Sequence, residues 1–294
     1  MTLNALTIDV EDYYSVFARD RLDLALAPTE AVVRNTQRVL AMLADRGIHA
    51  TFFVLGEVAE AFPKLVTDIA GAGHEVGVHG FYHRQVFNLS PDEFRRDVGD
   101  AKKRIEDILG AEAAGHRAAA FSITPETAWA LEVLAEVGFR YDSSVFPFAG
   151  RRYGWPGFRR DIHRMALPGG AAIVEVPLSV VSVLGKTLPA CGGGYLRHFP
   201  YAFTRWAIRR VNRERPAVVY MHPYETDTDP GPPEFERALA AAPSRVRAFH
   251  RRQLRNRETV AAKVARLLGE FEFVPLQEVI SAVTNGEKAA RGAP

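Results

Sequence analysis

Short apolar runs alternate with amphipathic stretches over the first two thirds of the chain. Apolar runs that predict buried strands occupy residues 3–9, 50–55 and 74–79. Between them, residues 29–46 and 57–72 carry apolar side chains at helical spacing, which predicts amphipathic helices. Gly47 is placed to end the first of these helices. The alternation indicates repeated βα units around a parallel sheet.

The same alternation continues more weakly toward the C-terminus. Ser90, Pro91 and Glu93 combine a capping box with a proline at the first helical position, which predicts a helix from there to Gly110. Further strands are predicted at 115–122, 140–144, 173–178 and 217–222, and further helices at 126–137 and 201–214. Seven or so strands in one continuous run favour a barrel-like (β/α) domain over an open doubly wound sheet.

Residues 227–233 contain three prolines and a glycine, which predicts a loop at the end of the barrel. We therefore expect a barrel domain of residues 1–226 and an extension of residues 227–294 packed on the same domain. The clearest element of this extension is a helix at 258–271. The predicted fold class is α/β: a distorted, incomplete (β/α) barrel of about seven parallel strands with a C-terminal helical extension.

Composition is that of a folded soluble protein of enzyme size, because 47% of the 294 residues are hydrophobic and 24% are charged. The net charge is only +2, from 37 basic and 35 acidic residues, so no nucleic-acid partner is indicated. One arginine-rich run, residues 250–257, can attract a polyanion or a membrane surface. A solvated loop ahead of a helix is the simpler interpretation of this run.

Cys191 is the one cysteine, so neither an intrachain disulfide nor a cysteine zinc site is available. Any metal must then be held by histidines and carboxylates. The N-terminus lacks a basic region followed by a long apolar stretch, and no segment has about 18 uninterrupted apolar residues. We therefore expect no transmembrane segment and a cytoplasmic location, with peripheral membrane association as an alternative.

Three carboxylates, Asp9, Glu11 and Asp12, follow directly on the first predicted strand. Active sites of (β/α) proteins are built at the carboxyl ends of strands. Repulsion among clustered acids is relieved by a bound cation, or by one acid that keeps its proton and acts as a general acid or base. Strand alternation puts Asp9 and Glu11 on one face. A solvated acidic turn with a helix-capping aspartate is the alternative.

Histidines end two other predicted strands. His79 and His83 are four residues apart, so both rings project from one face and can bind a single ion if the chain turns helically there. His222 stands before Pro223 and has a side chain that titrates near neutrality, which suits a general acid for a leaving amine. Ordinary surface or core histidines are the alternatives, and Glu225 is either a partner of His222 or a plain surface acid.

Arg117 lies in an otherwise apolar run, where an unpaired guanidinium is costly. It needs an acidic partner, and Asp9 is the natural one if Asp9 acts as a base that a positive neighbour keeps ionised. A structural salt bridge to another carboxylate is the alternative. Residues 142–144 either line the same face or begin a loop.

Taken together and in this order, these elements resemble the polysaccharide deacetylases with a NodB-homology domain, carbohydrate esterase family four. The resemblance extends from Leu3 to about Glu225. Residues 73–79 with His83 match the family's second motif, and Arg117 and His222 match the third and the last. The family's first motif has adjacent aspartates, whereas here one residue separates Asp9 from Glu11. This spacing looks like the branch of peptidoglycan deacetylases and allantoinase-like proteins. The proline that often follows the third motif's arginine is Ala119 here.

The resemblance implies a role for each matched residue. Asp9 is the base, His222 the acid and Arg117 the residue that orients Asp9. The metal ligands are His79, His83 and Glu11, or Asp12 in place of Glu11. Apart from the matched motifs, Tyr195 in its glycine-rich segment is expected to contact the glycan, with a plain turn as the alternative. The implied cofactor is a divalent cation, with zinc preferred. Two histidines, a carboxylate and water also suit iron, cobalt, nickel or manganese.

The N-terminal acidic segment, residues 192–197, residues 222–225 and the arginine-rich tail are more narrowly similar to deacetylases encoded with bacterial exopolysaccharide and exosortase systems. The implied function is therefore a metal-dependent hydrolase that removes N-acetyl groups from an exopolysaccharide or a peptidoglycan-like glycan. The acetylated glycan is the expected partner. The alternatives are an allantoinase-like hydrolase of a small or cyclic amide, and a catalytically inactive carbohydrate-binding relative.

Overall fold

Nine strands form one sheet in the computed structural model, which describes residues 2–150, 153–190 and 192–291. The strands of this sheet are β1 Asn4–Val10, β2 Thr51–Val54, β3 Glu75–Val78, β4 Gly115–His116, β5 Tyr141–Asp142, β6 His163–Ala166, β7 Ala172–Glu175, β10 Val218–Met221 and β11 Phe273–Val274. Two more strands, β8 Val180–Val183 and β9 Lys186–Pro189, form a separate antiparallel hairpin.

The order along the main sheet is β10-β1-β2-β3-β4-β5-β7-β6, with β11 paired to β1. The seven strands from β10 to β7 run parallel, and β6 is antiparallel at one end. Since β10 and β6 are the two ends of this order in the described part of the chain, the barrel is not closed. The predicted fold class, an incomplete barrel of about seven parallel strands, is confirmed.

The central strands are buried on both faces, as the apolar sequence runs predicted. Every residue of β1 and β2 is buried. Parallel strands covered by helices on one side and by barrel packing on the other have no solvated face, so apolar residues need not alternate with polar ones. The polar exceptions in β1, Asn4, Thr7 and Asp9, are therefore buried polar groups that need partners.

Helices connect and cover these strands. They are α1 Tyr13–Phe17, α2 Glu30–Ala44, α3 Gly56–Ala61, α4 Pro63–Gly71, α5 Pro91–Leu109, α6 Ala130–Val137, α7 Gly193–His198, α8 Tyr201–Val211, α9 Pro233–Ala241, α10 Ser244–Leu254, α11 Val260–Glu270 and α12 Leu276–Arg291. The capping box predicted at Ser90 is present, and Gly110 ends α5 in a left-handed conformation. No helix among the described residues is long and apolar enough to cross a bilayer.

Two predicted elements were wrong in extent. The helix expected over residues 57–72 is divided into α3 and α4, because Pro63 starts a new helix and cannot donate to the preceding turn. The strand expected over residues 115–122 stops at His116. Ala120 and Phe121 have φ angles of 52° and 53°, a left-handed conformation that no strand contains.

Several elements were not predicted: β6, β11, the β8–β9 hairpin, and the helices α1, α7, α9, α10 and α12. The edge strand β6 has only partly buried and exposed residues, and none of the residues of α10 is fully buried. Such elements carry a weak apolar pattern, and tertiary contacts decide their conformation.

The C-terminal segment returns to the barrel. β11 pairs with the start of β1, and the amide of Leu276 donates to Thr51 Oγ1 over 2.8 Å. Leu276 and Val279 of α12 are fully buried. The division of the chain at residue 226 stays a prediction, and Cys191 lies outside the described residues.

Candidate active site

Four strand ends bring the predicted site residues to one edge of the sheet. β1 carries Asp9 and leads into Glu11, β3 leads into His79, β4 into Arg117 and β10 into His222. Because β10, β1, β2, β3 and β4 are consecutive and parallel, their carboxyl ends meet at the same edge. The sheet order therefore gathers residues that are up to 213 positions apart in sequence.

Glu11, His79 and His83 form a group whose ligand atoms all lie within 4.8 Å of one another. Glu11 Oε2 is 2.8 Å from His83 Nε2 and 4.0 Å from His79 Nε2. Glu11 and His79 are buried, with 7% and 2% of their surface exposed. Two imidazoles and a carboxylate at this separation are the donor set of a divalent transition metal such as zinc.

Unsatisfied atoms in this group fit a bound cation. Glu11 Oε2 makes no hydrogen bond of good geometry, although His83 Nε2 lies 2.8 Å away, and His83 Nδ1 is buried without a hydrogen-bond partner among the described residues. Buried polar atoms rarely stay unpaired. His79 Nδ1 lies 2.8 Å from the carbonyl oxygen of Arg117, which fixes a proton on Nδ1 and leaves Nε2 as the donor atom. Burial lowers the pKa of His79 to about 4, so its ring is in the neutral form that binds metals.

A turn, and not a helix, brings the two rings together. The chain leaves β3 through Gly80, whose φ is 75°, and His83 itself has a φ of 56°. The ring centroids of His79 and His83 are 5.4 Å apart. The sequence analysis thus predicted correctly that the two rings lie close together, but its reason, a helical turn between them, was wrong. A non-glycine residue in the left-handed region is strained, which is common where a functional side chain must be aimed.

Asp12 does not join this group, which corrects the prediction of Asp12 as an alternative ligand. Its carboxylate caps α1 by accepting from the amide of Ser15 over 3.0 Å. It also accepts from the amide and hydroxyl of Thr29 over 3.1 and 2.9 Å. Burial raises the pKa of Asp12 to about 6, although these hydrogen bonds act to lower it. The helix-capping alternative was correct for this residue.

Asp9 and Arg117 form a buried ion pair beside the group. Arg117 Nη1 lies 2.8 Å from Asp9 Oδ1 and 2.7 Å from Thr7 Oγ1. Its other nitrogens donate to the carbonyl oxygen and the hydroxyl of Ser143 over 3.0 and 2.9 Å. The guanidinium also lies 4.4 Å from the centroid of the Phe53 ring. Asp9 is thus held by a cation that is itself fixed on several sides.

His222 faces both acids from the far side of the site. Its Nε2 is 3.8 Å from Glu11 Oε1 and 4.0 Å from Asp9 Oδ2. Its Nδ1 is 3.2 Å from Glu225 Oε2, and Glu225 Oε1 accepts from Arg197 Nε over 2.7 Å. Glu225 is therefore a buried partner of His222, which decides between the two interpretations of that acid.

Electrostatics link these groups. Burial lowers the pKa of His222, but Glu11 and Glu225 outweigh it and raise that pKa to about 9. Burial raises the pKa of Glu11, but His83 and His222 outweigh it and lower that pKa to about 2. At neutral pH the site thus holds ionised carboxylates facing a protonated His222.

A cavity of about 240 Å³ opens over these residues. Its wall includes eight aromatic side chains besides the histidines: Tyr13, Phe17, Phe121, Tyr153, Tyr195, Tyr220, Tyr224 and Phe249. Tyr195, the predicted glycan contact, lines this cavity with its hydroxyl 3.2 Å from that of Tyr153. Gly192 is required beneath it, because its φ is 121° and a Cβ there would lie 2.3 Å from the carbonyl oxygen of Tyr220.

Residues that the sequence did not single out complete the cavity. Asp20 and Arg21 come from a π-helical turn at Ala18–Leu22, and Phe249 and Gln253 come from α10. Gln253 lies within the arginine-rich run at 250–257, which the sequence analysis noted without placing it at the site. The other three residues lie in no motif and at no strand end, so no local signal pointed to them.

Two family models match this chain. Residues 25–141 match the model described as polysaccharide deacetylase, a segment that contains His79, His83 and Arg117. Residues 143–281 match a domain of unknown function, DUF3473, and this segment contains Tyr195 and His222. The two matches meet beside β5, within the continuous sheet, so both regions contribute to one site.

Curated relatives match over short segments. A peptidoglycan-N-acetylglucosamine deacetylase of Bacillus cereus is 35% identical over 75 residues, 26% of this chain and 27% of that protein. The peptidoglycan-N-acetylmuramic acid deacetylase PdaC of Bacillus subtilis is 31% identical over 100 residues, 28% of this chain and 21% of that protein. The matches thus span between a fifth and about a quarter of these two relatives.

A solved structure extends the likeness to the whole fold. The crystal structure of a candidate polysaccharide deacetylase from Mycobacterium smegmatis superposes with a TM-score of 0.62 at 19% identity, over 97% of this chain and 91% of that one. At this identity the superposition shows a shared fold. Residues 25–141 thus match the polysaccharide deacetylase family, and the chain as a whole shares its fold with that structure.

Proposed function

We propose that this protein is a metal-dependent deacetylase that hydrolyses N-acetyl groups of a glycan. The observation that carries the proposal is the meeting of three kinds of group at one cavity: the Glu11, His79 and His83 donor set, the Asp9–Arg117 pair, and His222. Amide hydrolysis needs each of them, because water must lose a proton, a carbonyl must be polarised and an amine must gain a proton.

Glu11, His79 and His83 would hold the cation. When bound, a divalent cation at this position polarises a carbonyl oxygen and makes water more acidic. Zinc is our first candidate for its identity, and chelation followed by add-back of single metals tests it. Asp12 has no part in this set, because its oxygens are engaged at the start of α1.

Asp9 is the proposed base. Arg117 pairs with Asp9 and fixes one of its oxygens, Oδ1, at 2.8 Å. The other oxygen, Oδ2, faces the cavity side where His222 lies at 4.0 Å. A carboxylate held in this way accepts a proton from attacking water without first having to reorient.

His222 is the proposed acid. Its pKa of about 9 means that the ring carries a proton on Nε2 at neutral pH, on the side that faces Asp9 and Glu11. Glu225 holds the opposite nitrogen, Nδ1, so that the proton available for transfer points into the cavity. Donating it to the nitrogen that leaves the acetyl group converts a poor leaving group into a neutral amine.

A glycan is favoured over a small amide by the opening of the cavity, which measures about 240 Å³ and has exposed Asp20 and Arg21 in its wall. One acetylated sugar can enter while its neighbours stay outside. The two curated relatives named above act on peptidoglycan sugars, and we propose an acetylated polysaccharide, with exopolysaccharide as the narrower candidate.

The test is acetate release by purified, zinc-loaded protein. We expect release from N-acetylglucosamine oligomers and none of the ring opening that allantoin hydrolysis would give. Allantoin hydrolysis without acetate release would replace the proposal by its small-amide alternative. Binding of the oligomers with no turnover under any added metal would instead indicate an inactive carbohydrate-binding relative.

A further inference from the structure

The outer wall of the cavity is formed by two segments that come from distant parts of the chain. The π-helical turn Ala18–Leu22 contributes Asp20 and Arg21, and α10 contributes Phe249 and Gln253. We call Arg21, Phe249 and Arg252 the arginine rim. The proposed function assigns no role to this rim, and the α10 part of it lies in the region that matches a domain of unknown function.

Two guanidinium groups lie over one aromatic ring in this rim. The Cζ atom of Arg21 is 4.9 Å from the centroid of the Phe249 ring, and that of Arg252 is 5.7 Å from it. Both arginines are exposed. Phe249 in turn stacks on Phe17, with ring centroids 6.1 Å apart. By cation–π attraction the ring therefore holds Arg21, which lines the cavity, and Arg252, which lies beside the cavity lining.

Neither guanidinium of the rim has a hydrogen-bond or ion-pair partner among the described residues. Neighbouring arginines differ: Arg19 forms an ion pair with Glu57 at 2.9 Å, and Arg247 donates to a backbone carbonyl at the end of α9. An arginine that is oriented but unpaired keeps its donors available, and its planar fork suits carboxylate oxygens.

The helix α10, which contributes part of the outer wall, is positively charged. α10 contains four arginines and no acidic residue. Asp20 is the acidic residue of the outer wall, beside Arg21, while Asp9 and Glu11 lie deeper and are buried. Repulsion between neighbouring positive charges raises the free energy of the unbound protein, and a bound anion relieves this repulsion.

We infer that the arginine rim binds an anionic group of the substrate, so that the preferred substrate is an N-acetylated glycan with a carboxylate on a sugar near the acetylated one. The inference rests on the proposed function. The acetylated sugar occupies the inner cavity above Glu11, His79 and His83, and the carboxylate of the neighbouring unit meets Arg21 and Arg252.

A matched pair of probes tests this inference: hyaluronan hexasaccharide, which alternates N-acetylglucosamine with glucuronate, and its carboxyl-reduced form, which has the same linkages and no charge. Binding of each to zinc-loaded protein is measured by calorimetry at low ionic strength. We expect the charged form to bind about five- to tenfold more tightly, the effect of two exposed charge contacts. We also expect the ratio of the two affinities to fall toward one as added salt screens the charges of the rim.

Substitutions test whether the arginines of the rim cause the difference in affinity. Arg21→Ala combined with Arg252→Ala should bring the ratio of the two affinities close to one. The control is Arg251→Ala, which removes an exposed arginine next to Arg252 that is not over Phe249, and it should retain most of the preference. If the double variant does not fold, the salt dependence of the wild-type ratio still decides the question.

Equal binding of both hexasaccharides by the wild-type protein would overturn the inference. So would a preference that the double variant keeps in full. Failure of the proposed function has a different signature, because acetate release from neutral N-acetylglucosamine oligomers would be absent at every ionic strength, whatever the rim binds.

Discussion

Arg117 shows how single residues of the site depend on one another. Its side chain is completely buried, yet each of its donor groups has a partner in Asp9, Thr7 or Ser143. A buried ion pair adds little stability by itself, but removing one member costs about 3–5 kcal/mol because the other charge stays buried. Substitutions at Asp9 must therefore keep its hydrogen-bonding shape if they are to report on chemistry and not on folding.

Asp9→Asn should retain the metal and lose turnover. The amide preserves the shape and an oxygen for Arg117, but it cannot take a proton from water, so kcat should fall by about 100- to 10,000-fold. His79→Ala should instead lose the metal itself, since it removes one of three donors. Metal content by mass spectrometry and acetate release separate the two effects. Full activity of the Asp9→Asn variant would show that Asp9 is not the base.

The metal-free protein should lose stability as the pH rises from about 6.5 to 9. The pKa of His222 is about 9 in the folded chain and 6.5 in the unfolded chain. Its contribution is thus fully present below pH 6.5 and is lost as the pH passes the folded value, by up to about 3 kcal/mol. Chemical denaturation in chelator should show this loss in the wild type and a flatter profile in His222→Gln. Equal losses in both proteins would assign the effect to other groups.

At the scale of elements, the site depends on how closely β3 packs. Gly77 lies in the middle of this strand, and a Cβ there would be 2.7 Å from the ring of Phe53 and 3.0 Å from the carbonyl oxygen of Gly115. Phe53 supports the guanidinium of Arg117 at 4.4 Å. The absence of a Cβ at Gly77 therefore leaves room for the Phe53 ring that supports Arg117.

Gly77→Ala should destabilise the fold by about 1–3 kcal/mol, because the added methyl overpacks a rigid interior. It should also reduce activity, since Phe53 must shift beneath Arg117. Gly99→Ala is the matched control: a Cβ added to Gly99 in α5 would have no neighbouring atom within 4 Å, so alanine should stabilise by about 0.5–1 kcal/mol. Denaturation midpoints measure both changes, and opposite signs are expected.

At the scale of the whole molecule, the two family-matched regions and the C-terminal segment share one sheet. β5 at the end of the first region pairs with β7 of the second, and β11 pairs with β1. Phe273 of β11 is buried with 4% of its surface exposed. Contacts of this kind couple the stability of the C-terminal segment to that of the site.

Phe273→Ala should destabilise the whole described fold, and not only its C-terminal segment, by about 3 kcal/mol, the usual cost of removing a buried aromatic ring. Tryptophan fluorescence and circular dichroism should report one coincident transition. Leu184→Ala is the control, because Leu184 is 98% exposed at the tip of the β8–β9 hairpin and should change stability by less than about 0.5 kcal/mol. Two separated transitions in the variant would favour the predicted division at residue 226.

Much of the fold and the inner site could be predicted from the sequence, for physical reasons. Continuous apolar runs such as residues 50–55 must be buried wherever they lie, and βα alternation then leaves few topologies. Residues that follow strand ends share an edge, so Asp9, His79 and His222 were predicted to meet. The extent of β4 was not predictable, because the left-handed residues Ala120 and Phe121 have no local signature.

The sequence by itself determined the types of chemical group and their placement at strand ends, because strand period and capping are local properties. Only the tertiary structure decided which carboxylate joins the histidines, since Asp12 and Glu11 are neighbours in sequence but face different partners. It also decided that Glu225 pairs with His222 and that α10 reaches the cavity mouth. These outcomes depend on contacts between distant segments, which the hydrophobic pattern of each segment does not encode.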